Sequence, residues 1–447
     1  MFFFLFLSFA FFPTLVFSQE NLPSDSSLVR ADSLMPKRTN IVAVVVQGNR
    51  RTKVEIIQRE MFTQVGDSLD TDRIEADRKR IQNLGLFTRV EIKPLYVEKG
   101  VLLLVNVTES WYFFPVPLIF YSDNDVEKLS YGLAVVHLNF RGRAEQVQFA
   151  GWLGYNPGVQ VSYHNPWMFG ESQMYMSTRF YYIQQRSKSL KLDNLEVDEQ
   201  QVGFSWTIGK RLSKRTFVST TLGYRQLKFD PPVEGETRNP SGHDRLPEIG
   251  ASFLYDARDL REYPRQGKSI GLYFRRVGFG DPNIHYWRYG ADLRFYQPLI
   301  GGLSFCTRAY TDFAAGDLPI YDRVFFGFGN RIRGFYNREI EGENLLFGSA
   351  ELRVPLLPIH YMNLFPRLLG QYGRNLKYGV SFALFIDSGK TRGNARIGNR
   401  KVSRMDYHTG YGASLDLHLP YIDVLRLALA WNEENRRESI VIFGVSF

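Results

Sequence analysis

The chain has 447 residues, 44% of them hydrophobic and 23% charged, which excludes a disordered or collagen-like polymer. A single cysteine, Cys306, excludes an internal disulfide framework and a cysteine-rich metal site, and a net charge of +9 alone identifies no partner. Two entries of the composition are unusual: aromatics reach 15%, and there are 38 glycines.

Met1 to Phe17 is almost wholly apolar, and polarity begins at Ser18-Gln19-Glu20. The run is short for a spanning helix and Pro13 interrupts it, so residues 1–18 read as a cleaved signal peptide in preference to a membrane anchor. Beyond it, no stretch is both long and apolar enough for a spanning helix of about 18 residues; the uncharged run 146–170 is interrupted by Gln146, Gln148, Asn156, Pro157 and Pro166. Export without helical spans leaves a periplasmic protein, a secreted protein or an outer-membrane β-barrel. The aromatic and glycine excess favours the barrel.

Residues 19–40, rich in Ser, Asp and Pro without a period, read as a flexible leader. Ile41 to Val46 is a β-branched run ended by Gly48-Asn49, which predicts a buried strand. Thr52 with Glu55 three residues on predicts a capping box, followed by helical spacing of Val54, Ile57 and Met61. Gly66-Asp67 breaks that helix. Thr71 opens a second one, with Ile74, Ile81 and Leu84 on one face and Gly85 placed to end it. Phe87 to Ile92 and Val101 to Val107 read as strands joined through Glu98-Lys99-Gly100. The order β-α-α-β-β over residues 41–109 is a small α+β domain.

From residue 110 to 447 period-2 alternation replaces helical spacing. Val147, Phe149 and Leu153 oppose Gln146 and Gln148, and Val218, Leu222 and Tyr224 oppose Ser219, Thr221 and Arg225. Tyr411, Ala413, Leu415 and Leu417 interleave with Gly412, Ser414, Asp416 and His418. A soluble sandwich would also alternate, but this stretch is longer than such a domain usually runs. At roughly 20 residues per strand and connection, it makes about 16 strands. The fold class is therefore mainly β: a transmembrane antiparallel β-barrel preceded by one small α+β domain.

Several motifs in this order resemble the BamA/TamA-type outer-membrane protein assembly and translocation superfamily, the bacterial surface antigen barrels. Gly48-Asn49, Gly66-Asp67 and the run from Leu84 to Val90 are similar to a POTRA (polypeptide-transport-associated) domain. Asn139-Phe140-Arg141-Gly142-Arg143, Asn165-Pro166-Trp167 and Tyr255-Asp256-Ala257-Arg258-Asp259 resemble the family's barrel turns. Gly329-Asn330-Arg331-Ile332-Arg333-Gly334-Phe335 resembles its sixth extracellular loop signature, with Ile332 in place of the usual Val. Glu351-Leu352-Arg353-Val354-Pro355 and Phe385-Ile386-Asp387-Ser388-Gly389 resemble the two strand motifs that follow, and the chain ends in Phe447.

Those motifs also have a direct physical reading. Ala350, Leu352 and Val354 are apolar, so Glu351 and Arg353 point to the opposite, lumenal side. Val380, Phe382, Leu384 and Ile386 face lipid, which puts Asp387 inside. Arg333, in a segment flanked by Gly329 and Gly334, can fold back to meet Asp387 and Glu351, because a buried charge needs a partner. The resemblance implies the same role for the loop arginine, with Arg331, Gly334 and Phe335 as its signature neighbours.

Trp111 to Tyr121 is expected to be the first barrel strand, yet it holds Pro115 and Pro117, which cannot donate to a ladder. Both fall on one register. They predict a weakened seam against the last strand, residues 438–447 with Phe443 and Phe447; alternatively the prolines precede the strand in a linker. The resemblance implies that such a seam opens sideways for a client strand.

No catalytic pattern is present: the seven histidines have no metal-ligand spacing, and no nucleophile elbow occurs. No enzyme and no cofactor are expected. The resemblance implies a barrel in the cell outer membrane with its POTRA domain in the periplasm, docking unfolded client polypeptides by strand addition along Phe87, Val90 and Ile92 and assisting their insertion or translocation. Its partners would be the outer-membrane bilayer, the clients and periplasmic or lipoprotein accessory subunits, with no nucleic acid. A passive outer-membrane pore with a soluble tether domain is the alternative, and a barrel hydrolase a third.

Overall fold

The computed structural model describes residues 40–121, 128–186, 198–232, 237–281, 283–326, 331–335, 340–392, 395–397, 400–402 and 407–443. The expected signal peptide and nearly all of the leader lie outside them. The N-terminal domain comprises β1 (Ile41–Gln47), α1 (Val54–Gln58), α2 (Thr71–Gln82), β2 (Phe87–Val97) and β3 (Gly100–Glu109). Its sheet runs β1-β3-β2, with β1 parallel to β3 and β2 antiparallel to it, so β1 and β2 are both outer strands. Ile56, Ile57, Ile74 and Ile81 of the helices pack on Val101, Leu103, Val105 and Val107, each buried. A fully buried side chain of this kind contributes about 1.5–3 kcal/mol.

The capping box at Thr52 does not form. Lys53 occupies the cap position of α1 and makes no side-chain cap bond. Thr52 is instead buried, its hydroxyl shared with the Tyr112 hydroxyl (2.9 Å) and the Asn139 amide (2.9 Å). The Glu109 carboxylate accepts from the main-chain N–H of Arg51 and of Thr52 (2.9 and 2.7 Å). Partners distant in sequence therefore take the groups that local pattern had assigned to each other. On α2 the cap is Asp70, whose carboxylate accepts from Asp72 and Arg73 N–H.

The barrel begins with β4 (Phe113–Tyr121), β5 (Leu129–Phe140), β6 (Glu145–Gly154), β7 (Gly158–Met168), β8 (Met174–Arg186), β9 (Asp198–Arg211) and β10 (Thr216–Asp230). It continues with β11 (His243–Asp256), β12 (Gly267–Val277), β13 (Tyr286–Pro298) and β14 (Ser304–Gly316), followed by two short strands, β15 (Val324–Phe326) and β16 (Ile340–Gly342). The long β17 (Asn344–Met362) and β18 (Leu376–Arg392) come next, then the short β19 (Ala395–Ile397) and β20 (Arg400–Val402). β21 (His408–Leu419), β22 (Ile422–Asn432) and β23 (Arg437–Phe443) end it. Sixteen of these strands form one antiparallel sheet ordered from β23 to β4, and β15, β16, β19 and β20 form a separate small sheet. Leu153, Leu222, Leu384, Ile386, Tyr411 and Leu415 are exposed, while Glu351, Asp387, Ser414, Asp416 and His418 are buried inside. This is an apolar outer wall around a polar lumen.

The N-terminal domain sits against the barrel turns at one end. Lys53 N–H donates to Gly142 carbonyl (3.0 Å), Arg80 to the Lys214 carbonyl (2.8 Å), Asn83 to the Asp259 carbonyl (3.0 Å) and Asn375 to the Thr108 hydroxyl (2.8 Å).

Candidate functional site

Register brings the lumenal charges together. Ser349 on β17 pairs with Asp387 on β18, and Asp416 on β21 pairs with Arg426 on β22. Into this wall the segment Arg331–Phe335 inserts. Arg333 and Asp387 are each only 1% exposed. The Arg333 Nε and Nη2 donate to the two Asp387 carboxylate oxygens (2.6 Å each), and its main-chain N–H donates to the same carboxylate (3.1 Å). Nη1 donates to Glu351, and the guanidinium lies 3.7 Å from the centre of the Phe385 ring. Ser349 donates to Asp387 as well (2.6 Å).

Glu351 also accepts from Arg353 Nε (2.8 Å) and Arg426 Nη1 (2.7 Å). Arg426 in turn holds Asp416 through two 2.7 Å bonds. Tyr263, from the turn between β11 and β12, reaches in to donate to Asp416 (2.9 Å) and lies under Arg353, 4.7 Å from its guanidinium. Three guanidinia thus face three carboxylates, so this buried network is neutral as a whole. Neutrality matters because a buried unpaired charge costs several kcal/mol.

Backbone fit completes the dock. A Cβ at Gly410 would lie 1.6 Å from the Arg333 carbonyl oxygen, so only glycine lets the segment lie against the wall. Gly334 has φ +100, and its carbonyl accepts from Asn432 (3.0 Å). Phe335 is buried against His408, and Ile332 is buried beside it. Arg331 is the first residue of this segment, whereas Gly329 lies outside the described residues.

The same long connection is held at a second point that sequence reasoning missed. Arg225 makes two 2.6 Å bonds to Asp322, Tyr286 also donates to Asp322, and Arg288 Nη1 donates to the Asp322 carbonyl. Tyr263, Asp416 and Arg426 were likewise missed as partners. Arg426 did leave a signal: a lone arginine in the apolar run Val424 to Ala430, on the parity opposite to Leu425, Leu427 and Leu429.

At the seam, Pro115 and Pro117 lie within β4, opposite Val135 and Leu133. They are not in a linker. Leu138 N–H donates to the Tyr112 carbonyl (2.9 Å), which makes that a hydrogen-bonded pair. In the same register Phe113, Pro115, Pro117 and Ile119 are then the non-hydrogen-bonded positions, whose main-chain groups point away from β5. The prolines therefore remove no β4–β5 bond and delete two donors on the seam side. Among the described residues no ladder joins β4 to β23. Phe447 and the side chain of Phe443 lie outside them.

β2 is an outer strand, but Phe87 and Val90 are buried in the domain core and Ile92 packs against it. At these three positions the side chains face the core, so they do not line a docking edge; the exposed apolar side chains of β2 are Leu95, Tyr96 and Val97.

The junction between domain and barrel encloses a cavity of about 840 Å³ lined by Arg59, Arg80, Arg211, Arg215, Tyr175 and Phe62 among others. Buried Glu60 accepts from Arg211 (2.7 and 3.1 Å) and Arg80 (2.5 Å). Burial alone would raise its carboxyl, but Arg211, Arg80 and Arg59 overcome that and hold it down at about 2. The arginines gain less, since they share one carboxylate: burial brings Arg59 down to about 10, and Arg80 is also lowered, first by burial. The Trp167 ring carries the guanidinia of Arg59 (4.7 Å) and Arg211 (5.3 Å). Among the described residues no three His, Cys, Asp or Glu side chains converge as a metal site.

Known proteins share this architecture. BamA from Haemophilus ducreyi lacking POTRA domains 1–3 superposes with a TM-score of 0.52 at 17% identity, covering 92% of this chain and 84% of that one. CdiB from Escherichia coli superposes with a TM-score of 0.52 at 12% identity, covering 94% and 91%. CdiB from Acinetobacter baumannii gives 0.50 at 14%, covering 90% and 73%. The POTRA family, described as a surface antigen variable number repeat, matches residues 39–110. The Omp85 superfamily domain matches residues 139–447, and the chain is accordingly a member of the Omp85 superfamily of outer-membrane barrels.

Proposed function

We propose that the protein works on unfolded polypeptides at the outer membrane, inserting them or passing them across, with its POTRA domain in the periplasm and without a cofactor or catalytic group. The observation that carries this reading is the donor-poor edge of β4. Pro115 and Pro117 leave the seam side with two missing N–H groups, so closure against β23 is weaker than closure elsewhere in the sheet. A client strand that supplies its own donors and acceptors can then compete for the open edge of the wall. The outer main chain of β2 offers a second place for strand addition. The neutral lumenal network supports the reading too, since it keeps the rest of the wall rigid while the seam stays soft.

The test is a disulfide lock. Cysteine pairs introduced between residues 113–119 and 439–441, in a Cys306→Ser background, are oxidised in cells depleted of the native protein. Locked pairs should fail to restore the outer-membrane or surface proteins that disappear on depletion, and a reductant should revive them. A fully locked barrel with full rescue would sink the gate.

A passive pore would behave otherwise. It would conduct stably without client and be indifferent to the lock.

A further inference from the structure

Beyond the barrel wall, β17 and β18 continue as a free-standing hairpin. β14 pairs with β17 only as far as Arg353, and β21 pairs with β18 only from Gly379 onward. Residues 354–378 therefore project past the neighbouring strands on the side of the N-terminal domain, with the short helix α3 (Pro366–Leu369) near the tip. Every residue from Leu356 to Gly370 is exposed. Leu368 is 83% exposed, Leu356 60% and Phe365 53%. A run of this length and apolarity facing water is unusual.

The charge pattern is one-sided. From Leu352 to Ile386 there is no aspartate or glutamate, while Arg367 and Arg374 are exposed cations with no carboxylate partner among the described residues. Apolar side chains with arginines and no acids form the composition of an element lying in a lipid headgroup layer. The exposed apolar strip is also continuous with the lipid-facing side of β17 at Leu352. Aromatics mark the same level: Trp111, just before β4, packs on Tyr372 (5.1 Å), and Tyr421 donates to the Tyr372 carbonyl.

The opposite side of the hairpin is tied to the N-terminal domain. Asn375 donates to Thr108 (2.8 Å) and accepts from Arg89 (3.3 Å), whose guanidinium lies over Tyr361 (4.7 Å).

We propose that residues 356–370 are a membrane-interfacial wedge, seated in the headgroup layer of the leaflet on the N-terminal-domain side and binding phospholipid phosphates through Arg367 and Arg374. The wedge holds the N-terminal domain at a set distance from the bilayer beside the seam. This assignment is independent of what the seam does.

The full chain is placed, one copy per nanodisc, in phosphatidylethanolamine–phosphatidylglycerol or in phosphatidylcholine alone. An environment-sensitive fluorophore is attached at Leu368→Cys, or at Lys99→Cys as an aqueous control, in the Cys306→Ser background. The Leu368 probe should be blue-shifted and quenched by shallow nitroxide lipids roughly threefold or more beyond the control. Arg367→Gln with Arg374→Gln should weaken quenching in the phosphatidylglycerol discs while gel mobility of the folded barrel is retained. Quenching no greater than at Lys99 would overturn the wedge and leave the patch as a protein-docking face. Equal quenching in the arginine variants would overturn the phosphate contact.

Discussion

Removing Arg333 should unbalance the lumen. In Arg333→Ala, Glu351 keeps Arg353 and Arg426, but Asp387 retains only the Ser349 hydroxyl among the side-chain donors that surround it. The network passes from three charges of each sign to an excess of one negative charge, with both former partners only 1% exposed. Breaking a buried pair from one side typically costs about 3–5 kcal/mol. Arg333→Ala with Asp387→Asn removes the stranded charge and should recover about 2 kcal/mol of that loss, a factor of more than ten in the folding equilibrium. Arg333→Lys keeps the charge but loses the fork and should fall between. Urea unfolding in lipid vesicles, read by heat-modifiable gel mobility, measures the series. Strictly additive losses for the two substitutions, or unchanged mobility and function in Arg333→Ala, would refute the reasoning.

Four further expectations rest on other residues. Gly410→Ala drives a Cβ to 1.6 Å from the Arg333 carbonyl, so the segment must leave the wall, seen as faster proteolysis after Arg331 or Arg333 and a loss of about 1–3 kcal/mol. Pro115→Val with Pro117→Val restores two seam donors and should stabilise the barrel by roughly 1–3 kcal/mol while slowing client assembly in a reconstituted vesicle assay. Glu60, held at about 2 against an ordinary 4.5, contributes to the junction fully above pH 4.5 and progressively less as pH falls through 2. That is on the order of 3 kcal/mol, which Glu60→Gln should remove at neutral pH, as read by fluorescence energy transfer between domain and barrel. Asp322→Asn should free the upper anchor of the long connection and strand Arg225, lowering the urea midpoint with no change in Arg333 docking.

Local pattern determined much of this protein. Alternation along residues 411–419 and 380–386 already separates the wall's lipid side from its lumen, because side chains on a strand must point to opposite faces. The same rule aims Asp387 and Glu351 inward, and the 3.6 period places Ile74 and Ile81 on one face of α2. Pairing lay beyond it. Thr52 looked like a cap until Tyr112 and Asn139 claimed its hydroxyl, and Arg426 had no visible partner until register set it beside Asp416. Polar–apolar alternation stops after Arg353, and residues 354–359 are apolar on both parities with Pro355 and Pro358, yet only the register shows that β17 there outruns its neighbour β14. Periodicity reports which way each side chain points. Which charge it meets, and where the barrel stops, depends on strand register and on contacts between residues far apart in the chain, which exist only once the sheet has closed around them.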